Sequence, residues 1–250
     1  MAIDLYKDFA ERYDLFYGRF GTYDPLIKEF YQKLFTDNQI HRVLDCACGT
    51  GRDLYLFHLL GCETVGSDIS DSMLAQARTN LSQCGVEIPL YRVDYRILPE
   101  NFEKRFDAVV CLSSSILHMP NEKEVLLALR SMYEVLRENG ILVLTSGTSD
   151  YQWNKKPRFI PAVSTSDFSR LFVIDYFGRG ARYNIIDLFH SKEKTDFKVW
   201  SVDYTHVLLR DDHERLLNAS GFKKIEFYRN YHFDPYDKEK SGLLIAVAYK

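Results

Sequence analysis

Val43-Leu44-Asp45-Cys46-Ala47-Cys48-Gly49-Thr50-Gly51 carries a short apolar run directly into a loop with two glycines, and residues 52–60 beyond it are compatible with a helix. A strand that turns through glycines into a helix gathers free backbone N–H groups where a ligand can approach the main chain. The plainer reading of the same stretch is an ordinary strand-to-helix turn. Its neighbours decide between the two.

Outward from this loop, residues 41–146 alternate short apolar runs with amphipathic segments. Strands are predicted at 42–46, 63–67, 88–93, 107–112 and 141–145. The runs at 107–112 and 141–144 are almost wholly apolar, as strands covered on both faces are. Leu74, Ala77 and Leu81 keep helical spacing, as do Leu126, Leu129, Tyr133 and Leu136. Asn121 with Glu124 reads as the capped start of a helix over 122–138. Gly61, Gly85, Gly140 and Gly221 each fall just past a helix, where a left-handed cap favours glycine. Such alternation predicts a parallel sheet with helices on both sides.

The pattern changes after Ser146. Residues 169–176, 183–190 and 197–208 are rich in Phe, Tyr, Val and Ile with no helix between them, and predict antiparallel strands. A helix at 211–219 and strands at 222–229 and 242–249 complete the chain. The expected organisation is one domain over 1–250, with a helical N-terminal lid at 1–40, a core at 41–146, an antiparallel lid at 147–207 and the last helix and strands at 208–250.

Of the 250 residues, 46% are hydrophobic and 27% charged, the mixture of a globular protein with a real core. The net charge of −3 gives no electrostatic reason to bind nucleic acid or an anionic membrane. The N-terminus lacks a signal-peptide core and no apolar run approaches a membrane span. Five cysteines, an odd count without metal-type spacing, point to reduced thiols, no metal and a soluble cytoplasmic protein. Cys46 and Cys48 read as small packing residues.

Three acids close successive strands: Asp45, Asp68 and Asp94. All stand at one sheet edge, the carboxyl edge where open α/β sheets bind ligands. A dinucleotide site competes for this pattern, but its third glycine, needed for close helix–strand packing, is replaced by Leu54. The stretch Asp45–Gly51 instead resembles motif I of class I S-adenosylmethionine-dependent methyltransferases, in the Asp-x-Ala-Cys-Gly-Thr-Gly form of small-molecule enzymes.

That resemblance implies an α/β fold, a seven-stranded and mostly parallel Rossmann-like sheet with helices on both faces and an antiparallel β lid inserted after strand 5. It implies S-adenosyl-L-methionine as cofactor. Asp45, Ala47, Cys48, Gly49 and Gly51 would form its loop, and Asp68 would accept from both ribose hydroxyls, with Ile69 and Met73 beside the adenosine. Asp94 would meet the adenine amino group next to Tyr95, and Leu112 would border the cofactor.

Residues 106–119 resemble the acceptor segment of glycine N-methyltransferases and of nucleotide-linked amino-sugar N,N-dimethyltransferases. The second likeness extends to Tyr13–Tyr17, the late antiparallel insert and the final strand. It implies Tyr13 and Tyr17 beside the methionine part of the cofactor and Arg19 paired with its carboxylate. In-line attack on a sulfonium methyl needs alignment more than covalent help. His118 is the candidate for removing or orienting the amine proton, with Ser115 beside it; both are equally readable as strand-end packing and loop hydrogen bonding. The expected activity is methyl transfer to a small molecule, most simply an amine nitrogen, with O- or C-transfer as the runner-up. Outside that class stand a dinucleotide oxidoreductase and a non-catalytic cofactor-binding protein. Trp153, Arg158, Tyr176, Arg179, Arg182 and Tyr204 are the lid's possible acceptor contacts, the arginines suiting phosphate. Lid edge strands that pair between subunits make a homodimer possible.

Overall fold

A computed structural model describes residues 4–103 and 105–250. Its main sheet has seven strands: β1 (Arg42–Asp45), β2 (Glu63–Asp68), β3 (Leu90–Arg92), β4 (Phe106–Cys111), β5 (Leu136–Ser146), β10 (Lys224–Tyr228) and β11 (Leu244–Tyr249). A second sheet holds β6 (Phe159–Ser164), β7 (Phe168–Phe177), β8 (Gly180–His190) and β9 (Thr195–Tyr204). The main sheet runs in the order β10-β11-β5-β4-β1-β2-β3. Pairings from β3 to β5 are parallel, and β11 joins antiparallel to both β5 and β10.

Alternation along the strands explains the two apolar layers. Leu44, Val109, Leu142 and Ala246 point to one side, toward α5 (Glu122–Val135) and α7 (Arg210–Ala219). Val43, Val110, Val143 and Val247 point to the other, toward α2 (Pro25–Asp37) and α3 (Arg52–Leu59). Each fully buried aliphatic or aromatic side chain contributes roughly 1.5–3 kcal/mol. Helix α2 starts on Asp24, whose carboxylate accepts from Leu26 N, with Pro25 at the first helical position. Its Phe30, Tyr31, Leu34 and Phe35 are buried in the core. Among the described residues before it, Tyr6, Phe9, Phe16, Tyr17 and Tyr13 of α1 (Ala10–Tyr13) line the cavity described below, whereas α2, within the lid expected at 1–40, packs on the core.

Other differences from the sequence reading have local causes. Helix α5 stops at Val135 and not at 138, because Leu136 pairs with Phe106 as the start of β5. Asn139 takes the left-handed turn (φ 61°) assigned to Gly140. Gly140 answers a close approach instead: a Cβ there would sit 2.9 Å from Arg137 O and 3.0 Å from Asp107 O. At Gly61, Gly85 and Gly221 the expected left-handed caps are present. The second sheet has four strands where three were expected. Strand β6 has no clear strand signature because it contains Pro161, which an edge strand tolerates. The short α6 (Asp150–Lys155), capped by Ser149, also went unpredicted, and β9 ends at Tyr204 rather than 208. Among the described residues no helix is long and apolar enough to cross a membrane.

Candidate active site

The glycine loop lies at the carboxyl ends of β1 and β2. Gly49 (φ 51°) and Gly51 (φ 83°) both take left-handed backbone. At Gly51 an added Cβ would lie 3.2 Å from Ala77 Cβ, so this turn also lets α4 (Asp71–Gln83) close on the loop. Asp45 is buried, accepts from Ala47 N at 3.2 Å, and burial pushes its carboxyl well above the usual range.

Asp68 binds the loop from the next strand. Its Oδ2 accepts from Gly49 N and its Oδ1 from Ser70 N, both at 2.9 Å. Burial raises its pKa, and these amides pull it back. Each oxygen keeps a further acceptor position, so the carboxylate has room for two adjacent hydroxyl donors, the donor set of a ribose diol. Ile69 beside it is exposed at 55%, apolar surface ready to be covered, whereas Met73 is packed inside. The residues at this edge fit an adenosine-type cofactor.

Asp94 follows β3, as the sequence reading expects, and its carboxylate already has partners. It caps the following turn through Arg96 N and holds the Arg96 guanidinium with both oxygens. Burial opposes its charge, but the Arg96 bonds win and hold the carboxyl below its ordinary range. This acid is engaged before any ligand arrives. Tyr95 donates to Ser115 O at 3.1 Å, and Leu112 is buried. Cys48 lies in a small cluster with Leu54 and Leu74, and Cys46 donates to Val110 O. Ala47, between them, is half-buried against the core. All five cysteines are free.

Two N-terminal carboxylates tie the lid to this edge. Asp4 accepts from Ser70 Oγ (2.7 Å) and Ser72 N (3.0 Å) at the start of α4. Asp14 accepts from Thr50 Oγ1 (2.6 Å) and Asn80 Nδ2 (2.8 Å), and burial raises its pKa. Neither was singled out from the sequence, since an isolated Asp reads as a surface cap. Asp53 was missed for the same reason; burial pushes it up to about 6.

Between the N-terminal segment, the inner face of the second sheet and the ends of β4 and β5 is a cavity of about 440 Å³. Tyr13 and Tyr17 line it, as do Tyr6, Tyr176, Tyr183 and Tyr204. Ser113 (φ 54°) and Ser114 (φ 66°) reach it in left-handed conformations unusual for serine. The strain is held by β5: Ser113 N donates to Thr145 Oγ1 and Ser114 N to Thr145 O, both at 2.8 Å. Tyr17 Oη lies 3.1 Å from Ser113 Oγ, joining lid to strand end.

His118 stands one layer back. Its Nε2 is 2.7 Å from Tyr6 Oη, and burial pushes its pKa down to about 4. Ser115 does not line the cavity; its backbone is engaged with Leu112 and Tyr95. Arg19 is exposed and also outside the lining. Arg158, Arg179 and Arg182 form surface ion pairs with Asp175, Asp212 and Asp203, away from the cavity. Trp153 stacks edge-on against Tyr176.

The profile of a family described as "Methyltransferase domain" matches residues 43–140. The glycine/sarcosine N-methyltransferase of Aphanothece halophytica is 27% identical over 226 residues, 89% of this chain and 81% of that protein. That of Halorhodospira halochloris is 28% identical over 194 residues, 76% of this chain and 68% of that protein. Together these likenesses support a class I S-adenosylmethionine-dependent methyltransferase, with the methyltransferase domain itself matched over residues 43–140. Among solved structures, an S-adenosylmethionine-dependent methyltransferase from Clostridium acetobutylicum ATCC 824 shares the fold with a TM-score of 0.79 at 17% identity, covering 98% of both chains. An amino pentose methyltransferase from Micromonospora echinaspora gives a TM-score of 0.69 at 19% identity over 100% of this chain and 98% of its own. The methyltransferase therefore uses S-adenosylmethionine on a small-molecule acceptor, and the dinucleotide-dependent alternative is set aside.

Proposed function

We propose that this methyltransferase transfers the cofactor's methyl group to an amine nitrogen. The observation that carries the reading is the tyrosine-lined, mainly apolar cavity at the strand ends, in which no described lining residue is a carboxylate. The glycine/sarcosine relatives and a sugar N-methyltransferase among the structural neighbours support the same atom.

When bound, the cofactor supplies an electrophilic methyl on sulfur. The chain's own part is to hold the acceptor in line and exclude water. Asp68 and the Gly49–Gly51 loop are proposed to fix the cofactor, with Tyr13, Tyr17 and Ser113 at the methyl-bearing end. An ammonium has no lone pair, so the acceptor must give its proton to water before it enters and bind as the free amine. Desolvation favours the neutral amine, and phenol oxygens can orient it. His118, uncharged at neutral pH, is proposed to position Tyr6 rather than to take the proton itself.

The test is incubation with S-adenosylmethionine and matched amines and alcohols, reading S-adenosylhomocysteine release. Methylation of the alcohols alone would overturn the reading. We further infer a cytoplasmic homodimer. Five free cysteines suit a reducing compartment, and Phe159, Phe197 and Val199 leave apolar surface on the lid.

A further inference from the structure

We infer that the acceptor is an amine carried on an apolar ring body without an anionic group, rather than a free amino acid or a nucleotide-linked sugar. This rests on the amine reading above and narrows it.

Size is the first argument. The cavity of about 440 Å³ is shared with the methyl-bearing end of the cofactor at Tyr13, Tyr17 and Ser113, and the aromatic and aliphatic side chains beyond them line more space than glycine fills. An acceptor that leaves most of such a space to water gains little orientation from the walls. Phe16, Phe172, Ile174, Ile185 and Val202 make the far wall, with Trp200 stacked on Phe9 at 4.4 Å between ring centroids and 5° between planes. Flat apolar walls of this kind pack a ring face and offer nothing to a phosphate or carboxylate.

Charge is the second. An anionic body needs a cation or several free donors at its end of the site. Arg170 is the one cationic side chain among the described lining residues, and it is 2% exposed. Its Nε and Nη2 donate to Asp187, Nη2 also to Arg12 O at 2.8 Å, and Nη1 lies 3.4 Å from Tyr13 O. The Phe9 ring covers its guanidinium, with the Arg170 Cζ 5.1 Å from the ring centroid. Arg12 shares Asp187 and does not reach the cavity. The group thus fastens the N-terminal lid to β7 and β8. The three lid arginines that would suit a diphosphate are paired on the surface, so no described cation presents a free fork to the cavity.

What remains polar on the walls is uncharged: phenols, the Ser113 and Thr148 hydroxyls and the Gln152 amide. Those suit an amine lone pair or N–H and a ring hydroxyl. Tyrosine faces also tolerate residual positive charge on nitrogen.

The experiment compares 2-phenylethylamine and tyramine with phenylalanine, glycine and a nucleotide-linked amino sugar. It measures S-adenosylhomocysteine release and, separately, calorimetric binding to the enzyme–S-adenosylhomocysteine complex. We expect kcat/KM for 2-phenylethylamine to exceed that for phenylalanine at least ~100-fold, with binding in the same order. Stronger turnover or binding of phenylalanine, glycine or the nucleotide-linked sugar overturns the inference, as does failure of every uncharged-body ring compound to bind. If 2-phenylethanol is methylated and 2-phenylethylamine only bound, the amine reading fails while the ring-body assignment stands. Ile160→Arg, on the edge strand, puts an unpaired cation on the wall. It should shift the phenylethylamine-to-phenylalanine ratio at least ~10-fold toward phenylalanine in a protein of unchanged Tm. An unchanged ratio counts against this cavity as the acceptor site.

Discussion

Leu54 of α3 rests on Gly66 of β2: a Cβ on Gly66 would fall 2.5 Å from Leu54 Cδ1, and 2.7 Å from Leu90 Cδ2. A dinucleotide fingerprint obtains close helix–strand packing from a glycine on the helix. Here the helix keeps a leucine and the strand supplies the glycine. The contact that separates the two cofactor classes is the same contact seen from the opposite partner.

Gly66→Ala is therefore expected to overpack this junction and to cost about 1–3 kcal/mol, read by urea unfolding. Leu54→Ala alone should cost about 2–5 kcal/mol, and less in the Gly66→Ala background, where the new methyl fills part of the gap. Simple additivity of the two changes would show that the residues do not meet.

Asp68→Asn retains the shape of the strand end but loses the charge that accepts from hydroxyls. S-adenosylmethionine affinity should fall about 10- to 100-fold by calorimetry, the magnitude of one or two charged hydrogen bonds. Because Gly49 N also binds this carboxylate, the loop should loosen too, visible as faster amide exchange at residues 48–51. Normal binding would remove Asp68 from the cofactor site.

Asp4→Asn with Asp14→Asn should release the N-terminal segment from α4 and the glycine loop. Cleavage within the first twenty or so residues by trypsin should accelerate, and the KM for cofactor should rise more than kcat falls. Equal proteolysis in both proteins would show that the Arg12–Asp187–Arg170 group alone holds the lid.

His213 on α7 is buried, and neither ring nitrogen has a hydrogen-bond partner among the described residues. Burial lowers its pKa to about 4 against the pull of Asp212 and Asp150. The unfolded chain takes up this proton below pH 6.5, and the folded one only near 4. Its contribution is thus intact above pH 6.5 and shrinks by roughly 3 kcal/mol as pH falls to 4. His213→Met should flatten that part of the stability profile in urea unfolding at pH 7.5 and 4.5; parallel profiles would contradict it.

Phe197→Lys combined with Val199→Lys should dissociate the inferred homodimer in sedimentation velocity while leaving cofactor affinity unchanged. Both side chains are exposed on the lid face turned away from the cavity.

Much of the cofactor edge was legible in the chain itself. The positions of the strands along the chain, the loop at Gly49–Gly51 and Asp68 at the next strand end follow from periodicities and spacings that local sequence carries. Asp94 shows the limit. Its position at a strand end is a sequence property, but its engagement by Arg96, two residues on, depends on how the turn folds back. Arg12, Arg170 and Asp187 stand 158 and 17 residues apart in turn, and only the antiparallel pairing of β7 with β8 and closure of the lid make them one group. The same holds for the aromatic cavity, whose walls come from widely separated stretches of chain, among them the N-terminal segment, the ends of β4 and β5, the second sheet, Tyr231 and Leu243. Sequence by itself pointed to the cofactor, because the motif I likeness is carried by one local loop and the next strand end. The uncharged ring-lined space was decided only in tertiary structure, where strand alternation turns Arg182 to the outer face of the second sheet and Arg158 and Arg182 pair there with Asp175 and Asp203.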